Sequence, residues 1–426
     1  MNLDLYYKEL KQVTETADSF IKTIKEATAG RVDRIAEENE DQACIRRPME
    51  RRFRTREVTR MLGVSESGLY KAEREGRIPR AEYVQNSVGN RVRDGWTIDQ
   101  LLDIRKVFNA LPTVGHRPMV ISFPNLKGGC WKTTLSLLSA QYYAISGYRV
   151  LLVDTDAQGT LSFFLGYQPD IDTSYEDTIT PYLLFDDSAG GKYETLDYAI
   201  RKTGWPNIDL IPANLNLGLI DTSLPIALAE ARSAEEKTEI IERLAYGVLS
   251  LNEKYDLIIV DGTPSLNLLT ISTLIACDHV IVPCPAQMAD YASTIQFFHN
   301  LKNSVHSFVN NGVEVSFPDY HILITKYANA KYSNWMTAMI RKTFGAKTLD
   351  NVVKKTDEIG KTGTKITTIF ERQPSKMSNR KSHNNATEIF SSVFDEIEQK
   401  IISPFCRGDD VFDDDFLVRN SKEVVV

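Results

Sequence analysis

Through the first 45 residues, apolar positions recur at steps of three and four: Leu3, Leu5, Leu10, Val13, Ala17, Phe20, Ile21, Ile24 and Ala27. That spacing predicts a helix with one apolar stripe, interrupted at Gly30. The stripe can pack on its own domain or serve as a dimerisation arm. The next stretch, 53–70, reads as helix, tight turn, helix. Thr55 suits an N-cap, Val58, Met61 and Leu62 form the first apolar face, Gly63 permits the turn, and Ser65 caps the second helix. Arg91-Val92-Arg93 with Trp96 predicts a short β-wing, and 97–108 a further helix behind a Thr cap. Pro112, Gly115 and Pro118 mark 111–117 as a linker.

From Met119 onwards, short unbroken apolar runs alternate with amphipathic stretches. Strands are predicted at 119–123, 148–153, 208–212, 255–261, 279–283 and 320–325, and helices at 135–145, 234–253, 266–276, 333–344 and 386–402. Strands apolar on both faces, separated by helices, imply an α/β fold on a mainly parallel sheet with helices on both faces. Ligands of such sheets sit at the carboxyl ends of the strands. Residues 372–385 read as a polar loop. The chain therefore divides into a helical arm (1–45), a small helical module with a wing (46–110), a linker (111–117), an α/β domain (118–405) and an acidic tail (406–426) expected to be disordered.

Composition changes this picture in two places. At 426 residues the chain exceeds the ~250–300 at which single cores stop growing, which agrees with several domains. The net charge of −7 does not announce nucleic acid, yet residues 46–94 hold thirteen Lys or Arg against seven Asp or Glu. A solvated face would be the plainer account of such a run. Its coincidence with the turn glycine and caps favours DNA binding, with Ser67, Tyr70, Lys71 and Arg74 directed to a major groove and Arg91 and Arg93 on the wing. An odd count of five Cys argues for a reducing cytoplasm, and no run approaches the ~18 apolar residues of a membrane span.

The chemistry centres on Asn125-Leu126-Lys127-Gly128-Gly129-Cys130-Trp131-Lys132-Thr133-Thr134, between a strand and a helix. Such a loop is a phosphate cradle: backbone N–H groups face an anion, and the helix dipole favours negative charge there. Lys132 can reach terminal phosphate oxygens, and Thr133 can put its hydroxyl on magnesium. The general nucleotide-loop pattern wants glycine at 126 and 131. Leu126 and Trp131 stand there, so the match is to the lysine-first variant. One later strand ends in Asp154-Thr155-Asp156-Ala157-Gln158-Gly159 and another in Asp261. Beside a phosphate loop, such acids can hold a magnesium water shell and orient an attacking water. Cys284-Pro285-Ala286-Gln287 follows where a nucleotide base could pack, and Cys277 and Cys284 read as buried apolar residues rather than metal ligands.

Lys127-Gly128-Gly129-x-x-Lys132-Thr133-Thr134, then Asp154-x-Asp156-x-Gln158, then Ile258-Ile259-Val260-Asp261 resemble the ParA-type partition ATPases of the deviant P-loop class. The segment from Glu57 to Pro79 is similar to a MerR-type winged helix-turn-helix. The resemblance extends to about residue 403 and matches the layout of the larger plasmid- and phage-borne members. It implies a P-loop NTPase fold with ATP, ADP and Mg2+ as ligands, and weak hydrolysis stimulated by a ParB-type centromere-binding protein. It also implies a homodimer sandwiching ATP, non-specific DNA binding in the ATP state, repression of its own operon, and residence on the nucleoid in the cytoplasm. Carried onto this chain, Lys127 would reach the partner subunit's phosphates and Lys132 the β- and γ-phosphates, with Gly128, Gly129, Cys130, Trp131, Thr133 and Thr134 completing the nucleotide contacts. Thr133, Asp154 and Asp261 would serve the metal and Asp156 the hydrolytic water. Lys354 and Lys355 would touch DNA, with Arg341 and Lys342 as second candidates.

Two positions depart from the family pattern: Trp131 replaces a small residue and would crowd the loop, and Thr263-Pro264-Ser265 replaces a double-proline turn. Trp131 favours the alternative of a nucleotide-sensing repressor with little hydrolysis. A membrane-associated ATPase would want a basic amphipathic C-terminal helix, whereas this tail is rich in Asp.

Overall fold

The computed structural model describes residues 49–85, 89–310, 313, 316–359, 367–374, 377 and 379–408; the expected arm at 1–45 and most of the acidic tail lie outside them. The chain enters through α1 (Thr55–Leu62) and α2 (Glu66–Arg74). Gly63 ends α1 in the left-handed conformation, φ 66°, and the Ser65 hydroxyl accepts from the Gly68 N–H at 3.1 Å to start α2. Thr55 does not cap α1 as expected: it is the first helical residue, and Arg54 stands at the cap without a side-chain bond. β1 (Glu82–Gln85) and β2 (Arg91–Gly95) form an antiparallel ribbon, and α3 (Ile98–Val107) starts from a reciprocal Thr97–Gln100 capping box.

The α/β unit is a seven-stranded sheet in the order β5-β6-β4-β7-β3-β8-β9. Its strands are β3 (Met119–Ser122), β4 (Val150–Asp154), β5 (Arg201–Lys202), β6 (Ile208–Ile211), β7 (Leu257–Asp261), β8 (His279–Pro285) and β9 (Asp319–Thr325). Every neighbouring pair is parallel except the short edge strand β5. Alternation along each strand assigns its residues to two cores. Leu257 and Ile259 face one side, against α4 (Lys132–Ser146), with α5 (Thr160–Phe164) beside it. Ile258 and Val260 face the other. There α6 (Thr180–Leu183), α7 (Gly218–Glu230), α8 (Ala234–Leu249), α9 (Leu268–Ala276), α10 (Met288–Asn310) and α11 (Lys331–Phe344) cover the sheet. α12 (Arg380–Ile397) and α13 (Ser403–Arg407) close the first side, joined by a wide helical turn over Glu398–Ile402.

The first core does not stop at the sheet. Phe53, Trp96, Leu101 and Ile104 of the N-terminal module belong to the same buried cluster as Leu138 and Tyr143 of α4 and Phe390 of α12. Polar contacts follow: Arg51 donates to the Phe370 carbonyl at 2.6 Å, and the buried Arg105 guanidinium donates to the Ile145 and Ala110 carbonyls at 2.8 and 2.9 Å.

The segment at 351–355 runs beside β9 through single bonds, Val353 N–H to the Ile324 carbonyl and Tyr327 N–H to the Val353 carbonyl. One expectation changes. In the expected polar loop at 372–385, Arg372 and Gln373 are buried, and α12 already begins at Arg380. Arg372 reaches the buried Glu358 and Gln373 accepts from Arg52 N–H, so local partners satisfy what the sequence showed only as polar residues.

At the amino edge of the sheet, the rings of His279 and His321 stack with centroids 5.0 Å apart and share a 2.9 Å Nε2–Nδ1 hydrogen bond. Burial pushes His279 down to about 3 and lowers His321, so both stay neutral in the fold. Between pH 6.5 and 3 the unfolded chain then binds more protons than the folded one, and stability falls as pH falls through that window. Urea denaturation is expected to show about 2 kcal/mol less stability at pH 5 than at pH 7 from His279 alone. His279→Gln should flatten the profile; an unchanged slope would remove the pair from that role.

Candidate nucleotide-binding site

β3 delivers the chain into the loop and α4 takes it away, so the sheet's carboxyl edge fixes both ends. Asn125, which nothing in the motif singles out, braces the loop from beneath. Its buried amide donates to the Pro283 carbonyl at 2.7 Å and the Thr294 hydroxyl at 3.0 Å, while its carbonyl oxygen accepts from Lys127 N–H at 3.0 Å. Lys132 opens α4 almost fully buried, and its ammonium lies 3.4 Å from the Lys127 carbonyl. Lys127 points outward with its ammonium 3.8 Å from the buried Asp290 carboxylate and 46% of its side chain exposed. Cys130 is buried, its thiol directed to the Lys127 carbonyl.

Gly129 and Trp131 both take left-handed backbone, φ 73° and 78°. This explains why the general pattern wants glycine at 131: the loop needs a positive φ before the helix, and Trp131 supplies it at a cost on the order of 1–2 kcal/mol. The expectation of a crowded loop changes accordingly. The indole packs against the first core, 6.3 Å from the Phe390 ring of α12, with the Lys326 ammonium 5.8 Å from its centroid.

Asp154 and Asp261 end neighbouring parallel strands in direct register and are both buried. Burial raises both carboxyls, and the Asp261 charge pushes Asp154 up further; the Thr133 and Ser136 hydroxyls and Lys132 oppose the shift at Asp261. Their oxygens differ in use. Asp154 accepts from Ser162 N–H and hydroxyl at 2.9 and 2.7 Å and from Asp156 N–H at 3.1 Å, so it braces the turn. Asp261 accepts from the Ser136 hydroxyl at 2.9 Å through one oxygen, while its buried Oδ2 has no donor among the described residues. Asp156 is half-buried on the turn, with one oxygen accepting from Gln158 N–H. The structure thus brings Lys127, Lys132, Thr133, Asp154, Asp156 and Asp261 to one edge. In the segment expected to pack a base, Cys284, Pro285 and Ala286 are buried and offer no surface, whereas Gln287 is exposed.

The residues expected at DNA lie elsewhere. On α2, Tyr70, Lys71 and Arg74 are exposed, Lys71 within 3.8 Å of Glu75, and the Ser67 hydroxyl is bonded to that of Ser65. Arg91 is exposed over the Tyr83 ring, whereas Arg93 is held at 2.9 Å by Glu73 and stacked over Trp96. Lys354 and Lys355 are exposed beside β9; Arg341 donates to the Asp350 carbonyl.

The AAA domain family profile matches residues 118–315. Protein SopA of Escherichia coli (strain K12) is 36% identical over 376 residues, covering 87% of this chain and 93% of SopA. The chain belongs to the ParA-type partition ATPases. A putative replication protein A of Sinorhizobium fredii is 30% identical over 82% of this partition ATPase and 86% of its own length. Among solved structures, one titled Partition Protein superposes with a TM-score of 0.64 at 19% identity, covering 94% of this chain and 99% of that one, which extends the likeness of fold over nearly the whole ATPase. Asn125, Ser136, Ser162, Asp290 and Lys326 are the site residues that the motifs left out. Only Ser136 carried a signal, standing three residues after Thr133 on one helix face.

Proposed function

We propose that this chain is a DNA-partition ATPase that binds and hydrolyses ATP as a sandwich homodimer. In the ATP state it would hold non-specific DNA, and through the helix-turn-helix it would repress its own operon. The observation that carries the reading is the buried Asp261 oxygen that has no donor among the described residues, beside Thr133 at the mouth of the glycine loop. Such an oxygen fits a hydrated magnesium ion, whose remaining ligands would be the Thr133 hydroxyl and phosphates rather than a protein cage. Magnesium, when bound, neutralises phosphate charge. The chain's own residues do the rest. The N–H groups from Gly128 to Thr134 cradle the phosphates, and Lys132 meets the β- and γ-oxygens. Asp156 orients the attacking water, and Asp154, whose oxygens are taken up by Ser162 and the Asp156 N–H, acts as a positioning residue rather than in the metal role the resemblance implies. Lys127 stands exposed rather than folded into its own loop, which supports its reach to a partner subunit's phosphates. Hydrolysis, stimulated by a ParB-type partner, would then free the protein from DNA, in the cytoplasm on the nucleoid.

Asp156→Ala is expected to retain ATP binding and DNA attachment while hydrolysis falls about a hundredfold or more. Wild-type turnover in that variant would refute the water-orienting role. Absence of turnover in the unmodified chain with DNA and partner present, despite nucleotide binding, would leave the repressor reading. The DNA surfaces separate by assay. Neutralising Lys71 and Arg74 should erase an operator footprint and spare basal ATPase, whereas Lys354→Glu with Lys355→Glu should weaken salt-sensitive non-specific binding. An unchanged footprint or an unchanged salt slope would remove the corresponding surface.

A further inference from the structure

Lys326 follows β9 at the carboxyl edge of the sheet, and no motif calls for it. Its backbone is left-handed, φ 50°, a conformation in which Asn or Gly would sit with less strain. Its ammonium lies 3.9 Å from where a Cβ on Gly129 would stand, at the lip of the phosphate loop. The only aromatic face beneath it among the described residues is Trp131, at 5.8 Å. Lys127 has the Asp290 carboxylate nearby, and Lys132 has a loop carbonyl. Lys326 forms no ion pair with a carboxylate among the described residues, so a strained cation rests against an indole beside a loop built for an anion.

The geometry points to Lys326 as a further phosphate-binding residue, one that takes an oxygen of a bound nucleotide's phosphate chain. This rests on the nucleotide reading above and extends it to a residue outside the motif. A cation–π contact near the surface is weaker than a hydrogen bond to a charged group. The ammonium therefore leaves the indole for phosphate when nucleotide enters. Trp131 gains a function in the same step. It holds the lysine in place without a carboxylate that would repel the ligand.

Lys326→Asn in the full chain keeps the left-handed turn and removes the charge. ATP and ADP titrations, followed by intrinsic tryptophan fluorescence and by a fluorescent analogue, are expected to show about tenfold weaker binding of both nucleotides. Lys326→Arg should stay within about threefold of the unmodified chain, and melting without nucleotide should be undiminished in both. Should the Asn variant fail to fold, Lys326→Gln gives the same comparison. Undiminished affinity in the neutral variant, with affinity lost in Lys132→Ala, overturns the role of Lys326 and leaves the nucleotide reading intact. No binding by the unmodified chain would overturn both.

Discussion

Lys132→Ala is expected to weaken ATP binding about a hundredfold or more and to abolish the rise in melting temperature that ATP confers. The reason lies in where the ammonium sits. It is 7% exposed at the start of α4, and among the described residues the hydrogen bond it makes is to one carbonyl at 3.4 Å, with the charge of Asp261 as its electrostatic partner. A buried cation held by one long hydrogen bond is stabilised further by phosphate when ligand enters. The substitution should therefore change the nucleotide-free protein little, with the main loss appearing on addition of ATP. Calorimetric melting with and without ATP and Mg2+ separates the two. An ATP-dependent shift that survives in Lys132→Ala would mean that this loop is not where nucleotide binds.

The second large effect is structural. Gly95 takes φ 125°, and a Cβ there would stand 2.2 Å from the Phe53 carbonyl oxygen. That approach exists because Phe53 and Trp96 pair backbone to backbone, N–H to carbonyl, at 2.8 and 3.0 Å. Gly95→Ala must break this bridge or twist the wing, and both rings are fully buried. A loss of about 3–4 kcal/mol in urea denaturation is expected. A loss below about 1 kcal/mol would show that the ribbon can shift aside, and that the bridge does not anchor the module.

How far the sequence discloses all this depends on the range of the interaction. The central strands are buried on both faces and so appear as unbroken apolar runs; 255–261 narrows only to Leu257–Asp261 in the fold. Loop chemistry is equally legible, because Lys127, Lys132 and Thr133 lie within seven residues of one another in the chain. What spacing does not carry is partnership across the sheet. Ser136 meets Asp261 across 125 positions and Asn125 meets Thr294 across 169, and neither pair has a local signature. Trp131 is hard to read for a different reason. Its bulk suggests crowding at the phosphates, whereas its indole packs on the first core and the strain falls on the backbone. Arg93 shows the same limit on the wing: a basic residue in a basic run reads as a DNA contact, but Glu73 and Trp96 occupy its guanidinium.

A hinge needs a seam, and residues 111–117 provide none. The buried cluster that begins at Phe53 runs without a break through Ile104 into α4 and α12, stitched by Arg51 and Arg105. The N-terminal module and the α/β domain are thus one casting. If two chains pair across the loop at Lys127, the same two-fold axis must relate their α2 helices. The spacing of operator half-sites would then be dictated by the ATPase dimer, with no slack for sites set at other distances.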